Sequence, residues 1–228
     1  MRELTPLLRN QIVHHIVAFD NKRRLHPQGR RRKLSLAYIL ERIFYVCRTG
    51  CQWCQLHVEG SSYKTVYHHF NIWSKARIFE DAFYALNRAR TSVEGSLVVD
   101  TSFVKNVYGR DIVGRNPTDR GRKASKLSLL TDSKGTPLCA VFHQANKHDS
   151  GTLKHLLATA KRKLKGLGPY SHLLGDKGYD SSDCRIICKQ FGLEPCIPKR
   201  RSADVYRGRY VVEQTFGILD QFRRLKAL

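Results

Sequence analysis

The chain has 228 residues, 41% of them apolar, and its 41 Lys and Arg against 19 Asp and Glu give a net charge of +22. A chain of this length can bury one main core with a small second domain. No apolar run approaches the ~20 residues that a membrane span requires, and the start MRELTPLLRN lacks the apolar stretch of a signal peptide. We therefore expect a soluble intracellular protein, in the cytoplasm or nucleoid of a bacterium or in the nucleus of a eukaryotic or virus-infected cell. The excess of cations predicts a nucleic acid partner and no membrane partner.

Residues 1–90 show the spacing of three and four between apolar positions that is typical of amphipathic helices. The pattern predicts helices around residues 12–19, 36–47, 63–73 and 79–86, with Ser61 or Ser62 capping the third. A helix, a Gly-containing turn and a second helix that carries Lys64 are compatible with a helix-turn-helix DNA reader. A small helical bundle fits the same spacing equally well, so both interpretations stay open. We expect a helical DNA-binding domain over residues 1–90.

A basic segment, NKRRLHPQGRRRK, separates the first two predicted helices. Pro27 and Gly29 interrupt any helix within it. We expect a basic arm over residues 22–33 that contacts DNA phosphates, with a nuclear address or a solvated loop as alternatives. The arm residues expected to bind DNA are Arg30, Arg31, Arg32 and Lys33.

From residue 95 the pattern changes to strands. The predicted elements are strands 96–107, 126–133 and 136–145, a helix 148–164, a strand 172–174, a helix 182–192, a strand 194–198 and a last helix beginning near Arg209. The last helix is expected to bury Val212, Phe216, Leu219 and Phe222. This order is that of an RNase H-like domain, in which the first and fourth strands are neighbours. The sequence therefore predicts an α/β mixed-sheet domain over residues 95–228.

Three carboxylates stand out in this second half. Asp100 and Asp176 end apolar strands, and Glu213 lies at the margin of the buried face of the last helix. A buried carboxylate is unfavourable without a charge partner, and a hard cation such as Mg²⁺ with its preference for oxygen ligands is the expected partner. Asp149 competes with Asp176 as the second ligand. Asp149, Asp180 and Asp183 are instead expected to cap the helices that follow them.

Further cations surround the expected site. Arg115, Arg120, Arg122, Lys123 and Lys126 are placed in the loop between the first two strands, where their mutual repulsion favours a bound anion such as DNA phosphate. A solvated loop is the alternative. Lys105 and Lys177 are expected DNA contacts too, and Arg209 is expected to hold a phosphate or to orient Glu213.

The blocks RIFYVCRTGCQW, SSYKTVYHHFNIW, VVDTSFVK, DRGRKASKLSLLTDSKGTPL, GDKGYDS and RYVVEQTFGILDQFRRL follow one another along the chain. Together they resemble the DDE transposases of bacterial insertion sequences, of the branch numbered five, to which eukaryotic Harbinger elements are related. The resemblance spans most of the chain. It implies an RNase H-like enzyme that binds the terminal inverted repeats of its element, cleaves DNA there and joins the freed 3′ end to target DNA.

On this resemblance Asp100, Asp176 and Glu213 hold two Mg²⁺ ions, replaceable by Mn²⁺, about 3.5–4 Å apart. The enzyme is expected to act on double-stranded DNA as a homo-oligomer.

Departures from the pattern motivate the alternatives. Gln214 stands where Arg is usual, and the chain ends 15 residues after Glu213, which predicts a C-terminally truncated domain. A catalytically inactive or decayed transposase-derived DNA-binding protein is one alternative. A metal-dependent nuclease without strand transfer is the other.

Overall fold

The computed structural model describes residues 4–22, 32–90, 95–106, 109, 111–168, 170–201 and 208–226. The chain forms two compact units, Met1–Ala89 with Phe222–Arg224, and Arg90–Gln221 with Leu225–Leu228. Two of the predicted arm residues, Arg30 and Arg31, lie outside the described residues. No helix in the described part of the chain is long and apolar enough to cross a membrane.

The first unit is helical over its described residues. Its helices are α1 (Pro6–Lys22), α2 (Leu36–Thr49), α3 (Tyr63–Lys75) and α4 (Ile78–Ala89). The Ser35 and Ser62 side chains cap α2 and α3 by accepting hydrogen bonds from first-turn N–H groups, as expected for Ser62. Most apolar positions of the predicted pattern lie in one core, and the most deeply buried of them are Ile16, Ile39, Leu40, Val46, Val66 and Trp73. The connection between α2 and α3, residues 50–62, is longer than the turn of a tight helix-turn-helix. The helical-bundle interpretation fits this connection.

The described part of the second unit is built on one mixed sheet. Its strands are β1 (Gly95–Lys105), β2 (Gly114–Arg115), β3 (Lys123–Thr131), β4 (Pro137–Gln144), β5 (Tyr170–Leu174) and β6 (Glu194–Cys196). The neighbours run in the order β2, β3, β1, β5, β6, and β4 also pairs with β3. The β1–β3 and β3–β4 pairs are antiparallel, whereas β1–β5 and β5–β6 are parallel. This is the RNase H-like arrangement, which confirms the predicted fold class; the short strand β2 was not predicted.

Helices cover the sheet on both faces. The helices of this unit are α5 (Asp149–Leu164), α6 (Ser182–Gln190) and α7 (Tyr210–Leu219), and a short helix α8 (Arg223–Lys226) follows. Val211 and Val212 of α7 form a cluster with Val98, Leu129 and Leu174 of the sheet. Alternate residues of a strand point to opposite faces, so α7 lies on the face that carries the even-numbered residues of β1 and the odd-numbered residues of β3.

Three predictions about helix ends are wrong. Phe222 lies beyond α7 and belongs to the first unit, where its ring contacts that of Phe44 at 5.5 Å between centroids. Helix α5 has His148 as its N-cap, and Asp149 is its first residue. Helix α6 is capped by the Ser181 side chain, so neither Asp180 nor Asp183 is its N-cap. In each case a tertiary contact or a neighbouring hydroxyl replaces the local interaction that the sequence favoured.

Candidate active site

Asp100 in β1 and Asp176 just after β5 stand equally far beyond a register pair of these neighbouring parallel strands. Val98 of β1 is in register with Leu174 of β5, and each aspartate follows two residues later. Both register partners pack against α7, and a spacing of two returns the chain to the same face. Since adjacent strands lie about 4.8 Å apart, the two carboxylates belong to one patch at the carboxyl edge of the parallel strands.

Asp100 lies within the sheet and is partly buried. Its Oδ1 accepts a hydrogen bond of 2.7 Å from the N–H of Thr101. Burial, followed by the negative charges of Asp176 and Glu213, raises the pKa of Asp100 to about 6, against the lowering effects of the Thr101 N–H and of Arg209. The Asp100 carboxylate is therefore an anion that its surroundings leave insufficiently compensated.

Asp176 begins a short 3₁₀ turn, Lys177–Tyr179, at the end of β5. Its Oδ1 accepts a hydrogen bond of 2.9 Å from the N–H of Gly178. A Cβ at position 178 would lie 2.9 Å from that oxygen, so a larger residue there would displace the Asp176 carboxylate from this hydrogen bond. The turn holds the Asp176 side chain at the sheet edge, and Lys177 stands exposed beside it.

Glu213 reaches the site from the first turn of α7. Its side chain is 63% exposed and lies 3.9 Å from a guanidinium nitrogen of Arg209, the residue one turn earlier. Arg209 and Glu213 both act on the pKa of Asp100, which places them in the electrostatic environment of that carboxylate. The orienting role of Arg209 towards Glu213 stays a prediction, and this contact is the geometry on which it rests.

The residues present are suited to a hard cation. The donors at this edge are carboxylate oxygens, and burial together with the neighbouring negative charges raises the pKa of Asp100, an environment that a bound cation would compensate. Within the described ranges, however, no group of three Asp, Glu, His or Cys side chains is gathered closely enough to hold an ion. Asp100 and Asp176 each follow the register pair Val98 and Leu174 by two residues, while Glu213 is turned towards Arg209 and solvent.

The predicted cations of the first loop fall into two groups. Arg115 of β2, Arg120, Arg122 and Lys123 are exposed in a hairpin that joins β2 to β3. The side-chain oxygen of Asn116 accepts hydrogen bonds from the N–H and hydroxyl of Thr118, which shapes the turn. Lys105 is exposed at the end of β1, opposite the start of β3. This hairpin continues the sheet edge beyond Asp100.

The sequence predicts Lys126 in that loop, but the structure places it within β3. Its side chain is 8% exposed, and its Nζ donates hydrogen bonds to Asp149 Oδ1 at 2.8 Å and to the Lys147 carbonyl oxygen at 3.0 Å. An even position in β3 points away from Asp100, towards α5. The charge of Lys126 is therefore neutralised within the fold, and so is that of Asp149, which removes Lys126 from the exposed DNA-facing cations.

The remaining predicted cations belong to the first unit. Arg32 forms an ion pair with Asp20 at 2.6 Å, so this arm residue already has an acidic partner. Lys33 and Lys64 are exposed, the latter near the start of α3.

Tyr179 is a neighbour of the site that sequence reasoning missed. Its ring fills the space beside Gly175, where a Cβ would lie 3.3 Å from the ring. Burial, followed by the charges of Asp149, Asp100 and Asp176, raises the pKa of its hydroxyl well above the usual range. The GDKGYDS block contains this tyrosine, but nothing in the pattern distinguishes a buried ring from an exposed one.

Two family models and a relative match parts of this sequence. A family model described as "Transposase DDE domain" matches residues 91–228, and one described as "Putative transposase of IS4/5 family" matches residues 11–83. The chain is 40% identical over 126 residues to a Burkholderia cepacia protein named "Putative transposase for insertion sequence element IS402". That match covers 52% of this chain and 60% of the relative, so the chain spans less than two thirds of the relative's length.

Two solved structures are similar at low identity. A piggyBac transposase synaptic complex with hairpin DNA aligns over 89% of this chain and 50% of its own, with 10% identity and a TM-score of 0.46. The catalytic domain of Mos1 mariner transposase aligns over 64% of this chain and 89% of its own, with 9% identity and a TM-score of 0.33.

The sequence match over residues 91–228 extends across more than half of the chain, and by that match the chain belongs to the transposase DDE domain family.

Proposed function

We propose that this protein is a DNA transposase that binds the terminal inverted repeats of a mobile element, cleaves DNA there and transfers the freed end to target DNA. The observation that supports it most is the equivalent placement of Asp100 in β1 and Asp176 just after β5, with Glu213 entering from α7 above the same face. Carboxylates so arranged are suited to metal-assisted phosphodiester chemistry.

The three carboxylates would hold two divalent ions, Mg²⁺ in the first place, with Glu213 turning from Arg209 towards Asp100. When bound, the ions activate the attacking water or 3′-hydroxyl and stabilise the leaving oxygen. The chain's own residues prepare the site. The sheet shields Asp100 partly from water, and the 3₁₀ turn orients Asp176. Arg209 remains near Asp100 as a cation that can bind a DNA phosphate.

DNA contacts are assigned to exposed cations of both units. The hairpin between β2 and β3 presents Arg115, Arg120, Arg122 and Lys123 at the end of the sheet towards which β1 runs past Asp100, and Lys105 joins them there. The helical unit would recognise the inverted repeats through α3 and the basic segment before α2, and a homo-oligomer would bring two ends together. A catalytically inactive DNA-binding derivative is the alternative, motivated by Gln214 beside Glu213.

The test is a cleavage and joining assay on duplex DNA that carries the inverted repeats flanking the gene, with Mg²⁺. We expect cleaved and joined products from the natural chain and from Glu194→Ala, an exposed carboxylate on β6 that serves as control. Asp100→Ala, Asp176→Ala and Glu213→Ala should each abolish cleavage and keep DNA binding.

The outcomes separate the alternatives. Binding without cleavage by the natural chain would support the inactive derivative, and cleavage without joining would support a nuclease. Full cleavage by any one of the three carboxylate variants would refute the site.

A further inference from the structure

The loop that follows β6 emerges beside Asp176. Strand β6 runs parallel to β5, with Leu174 in register with Cys196, so residue 198 lies level with Asp176. The next three residues, Lys199, Arg200 and Arg201, are all exposed and form what is called here the basic loop. With strands about 4.8 Å apart, the start of this loop is about 10 Å from the level of Asp100 along the sheet edge.

A set of charged hydrogen bonds fixes the basic loop in place. The guanidinium of Arg185 donates to Asp180 Oδ1 and to the carbonyl oxygen of Ile197, both at 2.8 Å. The backbone N–H of Arg200 donates to the other oxygen of Asp180, also at 2.8 Å. Asp180 lies in the segment after β5 that also carries Asp176. The loops that follow β5 and β6 are therefore held together at one edge.

The same bonds leave most of the positive charge of the basic loop uncompensated, since Asp180, which attracts Arg200 electrostatically, is also paired with Arg185. Asp180 is engaged by the Arg185 side chain and by the backbone of Arg200, and none of the three side chains of the basic loop forms an ion pair with a described residue. Adjacent exposed cations repel one another unless an anion lies between them. These hydrogen bonds hold the basic loop in place although its cations repel one another. An anionic ligand between them would relieve that repulsion.

The basic loop and the β2–β3 hairpin lie on opposite sides of the carboxylates. In the sheet order, β2 and β3 flank β1 on one side, and β5 and β6 flank it on the other. Lys123 begins β3 at the end of the sheet where β1 ends, six residues or about 20 Å from Leu129, the partner of Asp100, and the basic loop follows β6 at that end of the sheet. Positive charge therefore stands to the left and to the right of Asp100 and Asp176.

We propose that the basic loop binds the phosphodiester backbone of the substrate DNA, so that the DNA lies across the carboxyl edge of the sheet with cations on both sides of the carboxylates. The identity of the anion as DNA rests on the proposed function. Asp180 and Arg185 act as positioning residues for the loop.

The test compares two variants of the full chain that lose the same charge. Lys199→Gln, Arg200→Gln and Arg201→Gln are combined in one, and Lys161→Gln, Arg162→Gln and Lys165→Gln in the other. The control residues stand at the end of α5, where the chain leads into the start of β5 at the opposite edge of the sheet. Binding to duplex DNA is measured at several salt concentrations in Ca²⁺, so that cleavage does not intervene.

The basic-loop variant should bind DNA more weakly, with a log K against log salt slope shallower by about 2 to 3, because each released phosphate contact contributes about 0.9. The control variant should keep a slope close to that of the natural chain. Equal slopes in the two variants would overturn the proposal. Because the readout is binding, a chain that binds through the loop and fails to cleave would refute the proposed function and leave this inference standing.

Asp180→Ala tests the positioning role through the sign of its effect. Removing a negative charge favours DNA binding if only through-space electrostatics matter, whereas releasing the basic loop weakens it. We expect weaker binding, with thermal unfolding used to confirm that the variant is folded. Tighter binding by this variant would refute the role of Asp180.

Discussion

The hydroxyl of Thr215 lies 2.7 Å from the carbonyl oxygen of Gly135 and 2.8 Å from that of Val211. Thr215 follows Glu213 by two residues, and Gly135 is in the turn between β3 and β4. A Cβ at position 135 would lie 3.1 Å from the Val211 carbonyl oxygen, and the φ of +79° there also favours glycine. This contact ties α7, and with it Glu213, to the turn.

Thr215→Val should destabilise the protein by about 1–2 kcal/mol, because the methyl group replaces the only donor that this buried side chain offers to the two carbonyl groups. Thr215→Ser keeps the hydroxyl and should lose less than half as much. Urea unfolding monitored by circular dichroism measures both. An equal loss in the two variants would assign the effect to packing instead of the hydrogen bond.

Asp100→Asn should stabilise the metal-free protein at pH 7.5 while it abolishes cleavage. The folded-state pKa of about 6 lies above the ordinary value of 3.8. The folded state therefore holds the proton more tightly, and the associated stability, complete below about pH 4, is lost as the pH rises towards 6. A neutral amide avoids this loss, so the variant should gain about 1–3 kcal/mol at pH 7.5 and little at pH 4.

Urea unfolding at both pH values in the presence of a chelator measures this difference. Mg²⁺ should then stabilise the natural chain more than the variant, because binding to the folded state alone raises the free energy of unfolding. A variant less stable than the natural chain at pH 7.5 would contradict the assignment of Asp100 as an uncompensated carboxylate.

Asp149→Asn should destabilise the protein by about 1–3 kcal/mol, because it leaves the ammonium group of Lys126 buried without its carboxylate partner. A helix-capping aspartate would lose much less on this substitution, since asparagine caps comparably. Combining it with Lys126→Met should restore most of the stability. Cleavage should persist in Asp149→Asn, because this pair lies on the sheet face opposite to Asp100.

The same unfolding and cleavage assays decide this case. A loss of cleavage in Asp149→Asn together with unchanged stability would return Asp149 to the set of candidate metal ligands in place of Asp176.

Cleavage with each divalent metal should depend on how closely its coordination by oxygen ligands resembles that of Mg²⁺. Mn²⁺ is expected to support cleavage in place of Mg²⁺, whereas Ca²⁺, with its longer and looser coordination, should support DNA binding and little cleavage. Cleavage of the inverted-repeat duplex in each metal measures this. Undiminished cleavage in excess chelator would show that the reaction does not depend on a divalent ion.

Much of the architecture could be read from the sequence. The spacing of residues such as Ile39, Val66 and Trp73 predicted the helices of the first unit, because an amphipathic helix must bury one face. The order of strands and helices after residue 95 predicted an RNase H-like sheet, and with it the adjacency of the strands that carry Asp100 and Asp176. Connection rules restrict such an order to few topologies, so the result did not depend on individual contacts.

Contacts between distant residues could not be read in this way. Lys126 looked like one more loop cation, and only the pairing of β3 with β1 and the approach of α5 turned it into the partner of Asp149. Likewise, Asp180 resembled a helix cap, yet it binds Arg185 and the backbone of Arg200. Local patterns determine which residues are apolar or charged and how they repeat, which is enough for helices, strands and their order. The partner of each charge depends on strand register and on which face a side chain occupies, and the packed tertiary structure alone decides these.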